Sequence, residues 1–189
     1  MFIIDGLLNG NGMNYTEALS LIKSDYQRYA MDSQGGGNLL SICKMALKNR
    51  GFAYSLWLRL SAVKGWLWPF AKIVHHHLST KYRITIQSHT VIGGGLYFPN
   101  CWNIVINPHC VMGKNVTISE YVNIGANDGK SSTIGDNTVI CPRVCVIGNI
   151  AIGNDSVLRA GAVVTRDVEP FAIVEGSPAK KIRIIENDI

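Results

Sequence analysis

A six-residue hydrophobic period between Ile86 and Val168 constrains the fold of this chain more than any other feature. Large aliphatic or aromatic residues occupy every sixth position, in three blocks. The blocks are Ile86, Ile92, Phe98 and Ile104; Ile106, Met112, Ile118 and Ile124; and Ile134, Ile140, Val146, Ile152, Leu158 and Val164. A helix repeats every 3.6 residues and a strand every two, so neither explains the pattern. The period is typical of a parallel β-helix, in which each hexad forms one flat side of a triangular coil.

A second set of residues follows the large ones by four positions and is also predicted to point inward. The set is Val116, Val122, Thr138, Val144, Ile150, Ala162 and Val168. Three hexads make one turn, so the repeat predicts four to five turns. The period slips by two residues after Ile104 and by four after Ile124. The second slip coincides with the polar, glycine-rich stretch 125–132, which we expect to be a loop at a coil corner, where ligands often bind.

The sequence before the repeat predicts a helical region over residues 1–82, followed by the β-helix and its C-terminal tail over 83–189. The predicted helices span about 16–31, 39–48, 53–63 and 67–80. Thr16 is the predicted N-cap of the first helix, Asn49-Arg50-Gly51 is the predicted stop of the second, and Pro69 lies in the first turn of the fourth. Residues 1–13 and 32–37 are rich in glycine and polar residues and are predicted to be a mobile lead-in and a helix break.

Composition narrows the classes of partner. Hydrophobic residues make up 47% of the chain and charged residues only 16%, so we expect a buried core and self-association. The net charge is +5, but no dense Lys/Arg run is present, which argues against nucleic acid as a partner. No signal peptide and no apolar run of about 18 residues are evident, which predicts a cytoplasmic protein without a membrane-spanning helix.

No metal site is predicted. The five cysteines lack a zinc-ligand spacing and are expected to be buried, reduced thiols. The run His75-His76-His77 is expected to face solvent or cap a helix, because adjacent helical side chains point about 100° apart and do not share one ion easily.

Aromatic and basic residues are concentrated in residues 52–78, which include Trp57, Trp66, Trp68, Lys64 and Lys72. Two interpretations remain open. This composition suits a helix lying on a membrane surface, which would be a peripheral membrane contact. It also suits helices packed against one another and against a second subunit, and this second interpretation is favoured.

The hexads, the N-terminal helices and the closing sequence Gly176-Ser177-Pro178-Ala179-Lys180 resemble the hexapeptide-repeat acyltransferases. Within that family the chain is most similar to the serine acetyltransferase-like branch. The stretches 25–29 and 49–52 resemble the capsule and exopolysaccharide O-acetyltransferases of that branch. The resemblance covers about residues 20–185, and it is more specific for the fold than for the acceptor.

This resemblance implies a mainly β fold, a left-handed parallel β-helix, with an N-terminal α-helical region. The left hand is an exception to the usual right-handed crossover. The resemblance further implies a homotrimer that holds acetyl-CoA in a groove between neighbouring coils. A histidine then acts as general base on the acceptor hydroxyl, which attacks the thioester directly. Imidazole suits this step because its pKa lies near 7.

The family's histidine position is occupied by Asn100. The family motif Gly-Leu-x-x-x-His-x-x-x-Ile-Val-Ile corresponds here to residues 95–106. An amide does not accept a proton at neutral pH. Three explanations remain open: an engineered His-to-Asn change, a natural variant of low activity, or a different histidine as the base. His89 and His109 are the nearby candidates, and both are expected to be ordinary solvent-exposed residues.

The predicted acceptor depends on a second difference between this chain and the family pattern. Serine acetyltransferases of the family have an aspartate just before the histidine and another near the first coil, where this chain has Pro99 and Thr85. Both carboxylates that would hold the ammonium group of serine are absent. The sequence therefore favours a saccharide hydroxyl in capsule or exopolysaccharide biosynthesis over serine. The alternatives are a serine O-acetyltransferase and a non-catalytic β-helix subunit that has lost its base.

The contacts to CoA implied by the resemblance fall at corners of the coils. The residues are Gly125, Ala126, Cys141, Pro142, Arg159, Ala160, Gly161, Arg166 and Lys180. Small residues would let the pantetheine arm approach the backbone. Arg166 and Lys180, with Lys181 and Arg183, would meet the phosphates. A solvated basic tail is the alternative interpretation of these last residues.

Overall fold

In the computed structural model of the chain, residues 13–30, 38–126 and 129–185 are described. The predicted lead-in up to residue 12 and the predicted helix break at 32–37 lie outside these ranges. The described residues form four helices followed by a parallel β-helix. The helices are α1 (Tyr15–Tyr29), α2 (Leu39–Lys48), α3 (Arg50–Ala62) and α4 (Trp68–Tyr82).

The predicted helices are all present, but the N-cap of the first was assigned to the wrong residue. Helix α1 begins after Asn14, not Thr16. The Asn14 side chain accepts from the Glu17 amide at 2.9 Å, and Glu17 accepts from the Asn14 amide at 3.1 Å, which is a capping box. Helix α1 ends at Tyr29, short of the predicted Met31.

The predicted stop signal Asn49-Arg50-Gly51 is right at Asn49, but Arg50 and Gly51 already lie inside α3. Asn49 ends α2 and caps α3, so the two helices follow each other without a loop. A Cβ at Gly51 would lie 2.5 Å from the Phe98 carbonyl oxygen and 2.8 Å from Tyr29 Oη. Glycine is therefore required here because α3 packs directly against the first coil of the β-helix.

The β-helix consists of short strands arranged in three sheets. The strands are β1 (Ile84–Thr85), β2 (Val91–Ile92), β3 (Ile104–Ile106), β4 (Val111–Met112), β5 (Thr117–Ile118), β6 (Asn123–Gly125), β7 (Thr133–Ile134), β8 (Val139–Ile140), β9 (Cys145–Ile147), β10 (Ala151–Ile152), β11 (Val157–Leu158), β12 (Val163–Val164), β13 (Ala172–Glu175) and β14 (Lys180–Ile184). The sheets have the orders β1-β3-β6-β9-β12, β2-β4-β7-β10 and β5-β8-β11-β13-β14. All pairs are parallel except β13 with β14. Successive strands along the chain thus pass from one sheet to the next, as the hexad period predicts.

The predicted inward residues form the core. All the large hexad residues are buried, with side-chain exposures of 3% or less. The predicted place of Ile104 in the hexad repeat was wrong. Ile104 pairs with Ile84 in the neighbouring strand, whereas Ile106 pairs with Ile124. The two-residue slip therefore lies before Ile104, in the corner that follows Phe98.

The corners turn through residues in the left-handed region. Asn115, Asn137 and Asp155 follow one another down one corner, with φ near +57°. Asn115 donates to Asn137 Oδ1 at 3.0 Å, and Asn137 donates to Asp155 Oδ1 at 2.9 Å. Asparagine and aspartate tolerate this backbone region better than most residues, which explains their repetition at this corner.

A buried ion pair holds the helices on the β-helix. Arg59 of α3 lies 3.1 Å from Asp25 of α1 and donates to the carbonyl oxygens of Ile92 and Gly93, each at 2.6 Å. Asp25 also accepts from the Leu96 amide at 2.8 Å. Because every charge is paired and hydrogen-bonded, the network fixes the position of α1 and α3 relative to the first coil.

Several sequence predictions concern exposure, and their outcomes differ. Packing explains part of the aromatic segment, since Phe52 and Tyr54 are buried, while Trp66 is 86% exposed. No helix among the described residues is both long and apolar enough to cross a bilayer. All five cysteines are free, but only Cys110 is buried. Cys101, Cys141 and Cys145 are partly exposed and Cys43 is exposed, so the prediction of buried thiols was right for Cys110 alone.

His75 also differs from its prediction, because it is buried rather than solvent-facing. Its Nε2 lies 3.3 Å from Tyr54 Oη. Burial, with smaller effects of Lys72 and His76, lowers the pKa of His75 to about 4, so its imidazole is neutral near pH 7. His76 and His77 are exposed, as predicted.

Candidate active site

A cavity of about 500 Å³ lies between the α2–α3 junction and the first corner of the β-helix. Lys48, Asn49, Arg50 and Gly51 form its helical wall. Pro99, Asn100, Cys101, Trp102, Glu120 and Tyr121 form its β-helix wall. The cavity thus contains Asn100, the position where the family would place its histidine. We call it the Asn100 cavity.

The corner at Asn100 is longer than the one below it. Eight positions separate the core residues Phe98 and Ile106, whereas six separate Ile118 and Ile124 in the next coil. The two extra residues push the segment Pro99–Trp102 outward, and Pro99, Asn100 and Trp102 are exposed. This bulge forms the opening of the cavity.

The residues predicted to contact the pantetheine arm lie below Asn100 along the same corner. The Tyr121 amide donates to the Trp102 carbonyl at 3.1 Å, and the Arg143 amide donates to the Glu120 carbonyl at 3.0 Å. One coil further, the Gly161 amide donates to the Pro142 carbonyl at 2.9 Å. Asn100 therefore lies on the same edge of the β-helix as five residues that were predicted to contact the pantetheine arm. They are Cys141, Pro142, Arg159, Ala160 and Gly161.

The other predicted CoA contacts do not lie on that edge. Gly125 ends strand β6 and Ala126 follows it, and Arg166 follows β12, so these three lie at the next corner around the coil. Lys180 begins β14, which pairs antiparallel with β13. One CoA would therefore not contact both edges of a single subunit. A groove between two subunits would bring different edges together.

Charges near the lower end of the edge are partly paired. Arg159 lies 2.9 Å from Glu175, and Lys181 lies 2.6 Å from Glu169, with all four side chains about half exposed or more. Such exposed pairs contribute little to stability, on the order of 0–1 kcal/mol. The basic side chains therefore remain accessible to an anionic ligand.

Thr85 and His89 belong to a different cavity. This cavity has a volume of about 650 Å³ and lies between α4 and the first coil, where Lys72, His75 and Asn103 also line it. His89 is exposed there, and His109 is exposed on a turn where its amide donates to Asn107 Oδ1 at 2.9 Å. Neither histidine is among the residues that line the Asn100 cavity.

Glu120 is a residue of the cavity that the sequence did not single out. Its Oε2 atom is buried and has no hydrogen-bond partner among the described residues. The neighbouring Cys101 is an unreactive thiol, because burial raises its pKa to about 12. No periodic signal marks Glu120, since it lies at a corner and not in the hexad stack. Among the described residues, no cluster of side chains could hold a metal ion.

Comparison with known sequences identifies the repeat. Residues 131–166 match the family model for the bacterial transferase hexapeptide (six repeats). The match covers the third and fourth levels of the β-helix, where the period is uninterrupted.

Curated relatives include serine acetyltransferases from several kingdoms. Serine acetyltransferase 2 of Arabidopsis thaliana is 30% identical over 61% of this chain and 37% of its own length. The serine acetyltransferase of Mycobacterium tuberculosis is 32% identical over 62% of this chain and 55% of its own length. The chain therefore spans well under two thirds of the length of these relatives.

Solved structures share the fold over almost the whole chain. The serine acetyltransferase of Brucella abortus superposes with a TM-score of 0.73 at 24% identity, covering 97% of this chain and 74% of that one. A serine acetyltransferase in complex with CoA superposes with a TM-score of 0.72 at 21% identity, covering 96% and 74%. At this identity the likeness establishes the architecture: a parallel β-helix preceded by helices.

The comparisons bear on the predicted acceptor. Each relative and structure named above is a serine acetyltransferase, and none is named for a saccharide. They support the serine O-acetyltransferase alternative better than the saccharide acceptor that the sequence favoured. They give no support to the capsule or exopolysaccharide branch.

Proposed function

We propose that the chain is an acetyl-CoA-dependent O-acetyltransferase whose acceptor is serine or a similar hydroxy amino acid. The observation that carries the proposal is the Asn100 cavity on a hexapeptide-repeat coil. Its helical wall bears the cations Lys48 and Arg50. These charges suit the carboxylate of an amino acid, whereas a neutral sugar would not need a cation in its binding site.

The edge below Asn100 supports acetyl-CoA as the donor. Pro142, Ala160 and Gly161 are small or compact corner residues, and Gly161 has φ +75°. Narrow side chains there would let a pantetheine arm lie against the backbone. Arg166 and Lys180 would reach the phosphates from the next corner or from a second subunit.

A homotrimer is part of the proposal, because the outer face of one sheet is partly apolar. Val105 of β3 and Ile147 of β9 lie in this sheet, and each is 43% exposed. Trp102 and Tyr121 continue the apolar surface to the Asn100 corner. A neighbouring subunit on this face would cover the apolar side chains and close a groove beside the cavity.

The reaction follows from the residues of the cavity. The acceptor hydroxyl would attack the acetyl carbonyl directly, and Asn100 would orient that hydroxyl through its amide, which both donates and accepts hydrogen bonds. Asn100 does not remove the proton. Another group must therefore take the proton that the resemblance assigns to a histidine at this position.

A saccharide acceptor remains the second candidate on one observation. Thr85 and Pro99 stand where the resemblance implies the carboxylates that hold the ammonium group of serine, and Thr85 lines a different cavity from Asn100. A non-catalytic subunit is the third candidate, because Asn100 is not a base.

An acceptor screen separates these candidates. Release of the CoA thiol from acetyl-CoA is followed with L-serine, with glycerate, which lacks the amine, and with neutral sugars. We expect turnover with serine that exceeds turnover with the sugars and falls in Arg50→Gln. Turnover with the sugars alone would show that the acceptor is a saccharide and not serine. Absence of turnover with every acceptor would favour the non-catalytic subunit.

A further inference from the structure

Direct acetyl transfer requires a group that accepts the proton of the acceptor hydroxyl. Asn100 does not serve, because an amide is not protonated near neutral pH. The following inference rests on the proposed function and concerns the same cavity. Another residue of the cavity must supply the base.

Three other polar side chains of the Asn100 cavity are poor proton acceptors. Lys48 and Arg50 offer N–H donors and no acceptor lone pair. The Cys101 thiol stays protonated, because burial raises its pKa to about 12. Among the described residues that line the cavity, Glu120 is the one carboxylate.

The Glu120 carboxylate has an unfilled hydrogen-bonding capacity. Its Oε2 atom is buried without a hydrogen-bond partner, and Glu120 forms no ion pair among the described residues. A buried polar atom left unpaired costs on the order of 1–3 kcal/mol, so such atoms call for a specific reason. The last torsion of a glutamate is broad and nearly two-fold, so a small rotation turns either oxygen toward the cavity.

The backbone places Glu120 rigidly beneath the Asn100 bulge. Thr117 pairs with Tyr97, and the Ile118 amide donates to the Tyr97 carbonyl at 2.9 Å. The Glu120 carbonyl accepts from the Arg143 amide in the coil below at 3.0 Å. The backbone around Glu120 is thus hydrogen-bonded to the coils above and below, and the Glu120 side chain lines the cavity.

We propose that Glu120 is the catalytic residue that accepts the proton of the acceptor hydroxyl, while Asn100 orients that hydroxyl. As the O–H bond breaks, its proton passes to the Glu120 carboxylate and the oxygen forms a bond to the acetyl carbonyl carbon. The tetrahedral intermediate then collapses, the C–S bond breaks and the CoA sulfur leaves with the electron pair. The sulfur takes the proton from Glu120, which regenerates the carboxylate.

The test compares the chain with four variants in an acetyl-CoA and L-serine assay. They are Glu120→Gln, Glu120→Asp, Asn100→His with Glu120→Gln, and Asn100→His alone. Asp136→Asn is the matched control. Asp136 Oδ1 accepts from the Lys114 amide at 2.6 Å at another corner, and one coil below Asn154 makes the equivalent bond to the Asp136 amide at 2.8 Å. Removal of that carboxylate should therefore leave activity unchanged.

Glu120→Gln should lower kcat by about 10²–10⁴, the usual contribution of a general base, with a smaller effect on KM for serine. Glu120→Asp should retain part of the rate because the carboxylate is kept. Asn100→His should restore transfer in the Glu120→Gln background. The restored rate should fall as the pH drops through about 6.5, where an imidazole titrates.

Each other outcome overturns the proposal in a distinguishable way. Equal rates for Glu120→Gln and the unmodified chain would show that the base lies elsewhere, while the acetyltransferase function would stand. Transfer by Asn100→His alone, with none by the unmodified chain, would show that Glu120 is no base in an otherwise intact site. Absence of transfer in every variant, without CoA binding, would overturn the proposed function as well.

Discussion

At the scale of single residues, burial decides which polar side chains matter. The two neighbours His75 and His76 differ only in the helical face they occupy. His75 is buried beside Tyr54 and its pKa is lowered to about 4, whereas His76 is exposed. Of the three consecutive histidines, His75 alone is buried in the structure. The sequence did not distinguish it from the other two.

The buried histidine predicts a loss of stability in mild acid. Unfolded His75 would take up a proton as the pH falls below about 6.5, but folded His75 stays neutral down to a pKa of about 4. The free energy of unfolding should thus decrease between pH 6.5 and 4, by on the order of 1–3 kcal/mol from this residue. Denaturant titrations at several pH values should show a shallower decrease for His75→Gln. An unchanged slope in His75→Gln, equal to that of the exposed control His77→Gln, would contradict this.

Glu120 shows why the site was harder to predict than the core. The hexad period marks residues that point inward, and corner residues carry no periodic signal. The two extra residues in the Asn100 corner also separate Tyr97 from its partner Thr117 by 20 positions, rather than the 18 of an uninterrupted coil. The proximity of Asn100 and Glu120 therefore follows from the register and could not be read from spacing alone.

At the scale of elements, the fold was predictable because the core repeats. One inward residue per hexad defines three stacked sheets, and the prediction held even where a loop interrupts the period. Helix ends were less predictable, because Asn14 and Thr16 are both good N-caps and only the Glu17 contact selects Asn14. Gly51 resembles a stop signal in sequence, but its role comes from contact with Phe98, which is distant along the chain.

The stacked core predicts large effects of single truncations. Ile118 and Ile140 are neighbours in one sheet and both are fully buried. Ile118→Ala and Ile140→Ala should each lower the free energy of unfolding by about 2–5 kcal/mol, because a cavity would remain between rigid coils. Ile182→Ala is the control, since Ile182 is 52% exposed and should cost much less. Chemical denaturation measures all three, and equal losses at Ile118 and Ile182 would contradict the inward assignment.

At the scale of the whole molecule, self-association links the fold to the proposed function. The candidate CoA contacts lie on two edges of the coil, and the apolar outer face beside Asn100 is uncovered in a single subunit. We predict a homotrimer, which sedimentation equilibrium should report as three times the 20.7 kDa chain. Val105→Asp on the exposed face should shift the equilibrium toward the monomer. A monomeric mass that does not change with concentration would contradict the groove between subunits.

The proposed site, the coil edge and the groove between subunits all require that the chain binds CoA. This binding depends on neither the acceptor nor the base. Calorimetric titration of CoA into the unmodified chain tests it most directly. We predict saturable binding that is weakened by raised salt, because Arg166 and Lys180 would meet the phosphates. Ala160→Trp, which fills the edge below Asn100, should abolish the binding, whereas Ala151→Trp, an exposed position on another sheet, should not. Absence of heat and of saturation with the unmodified chain would contradict the acetyltransferase assignment itself.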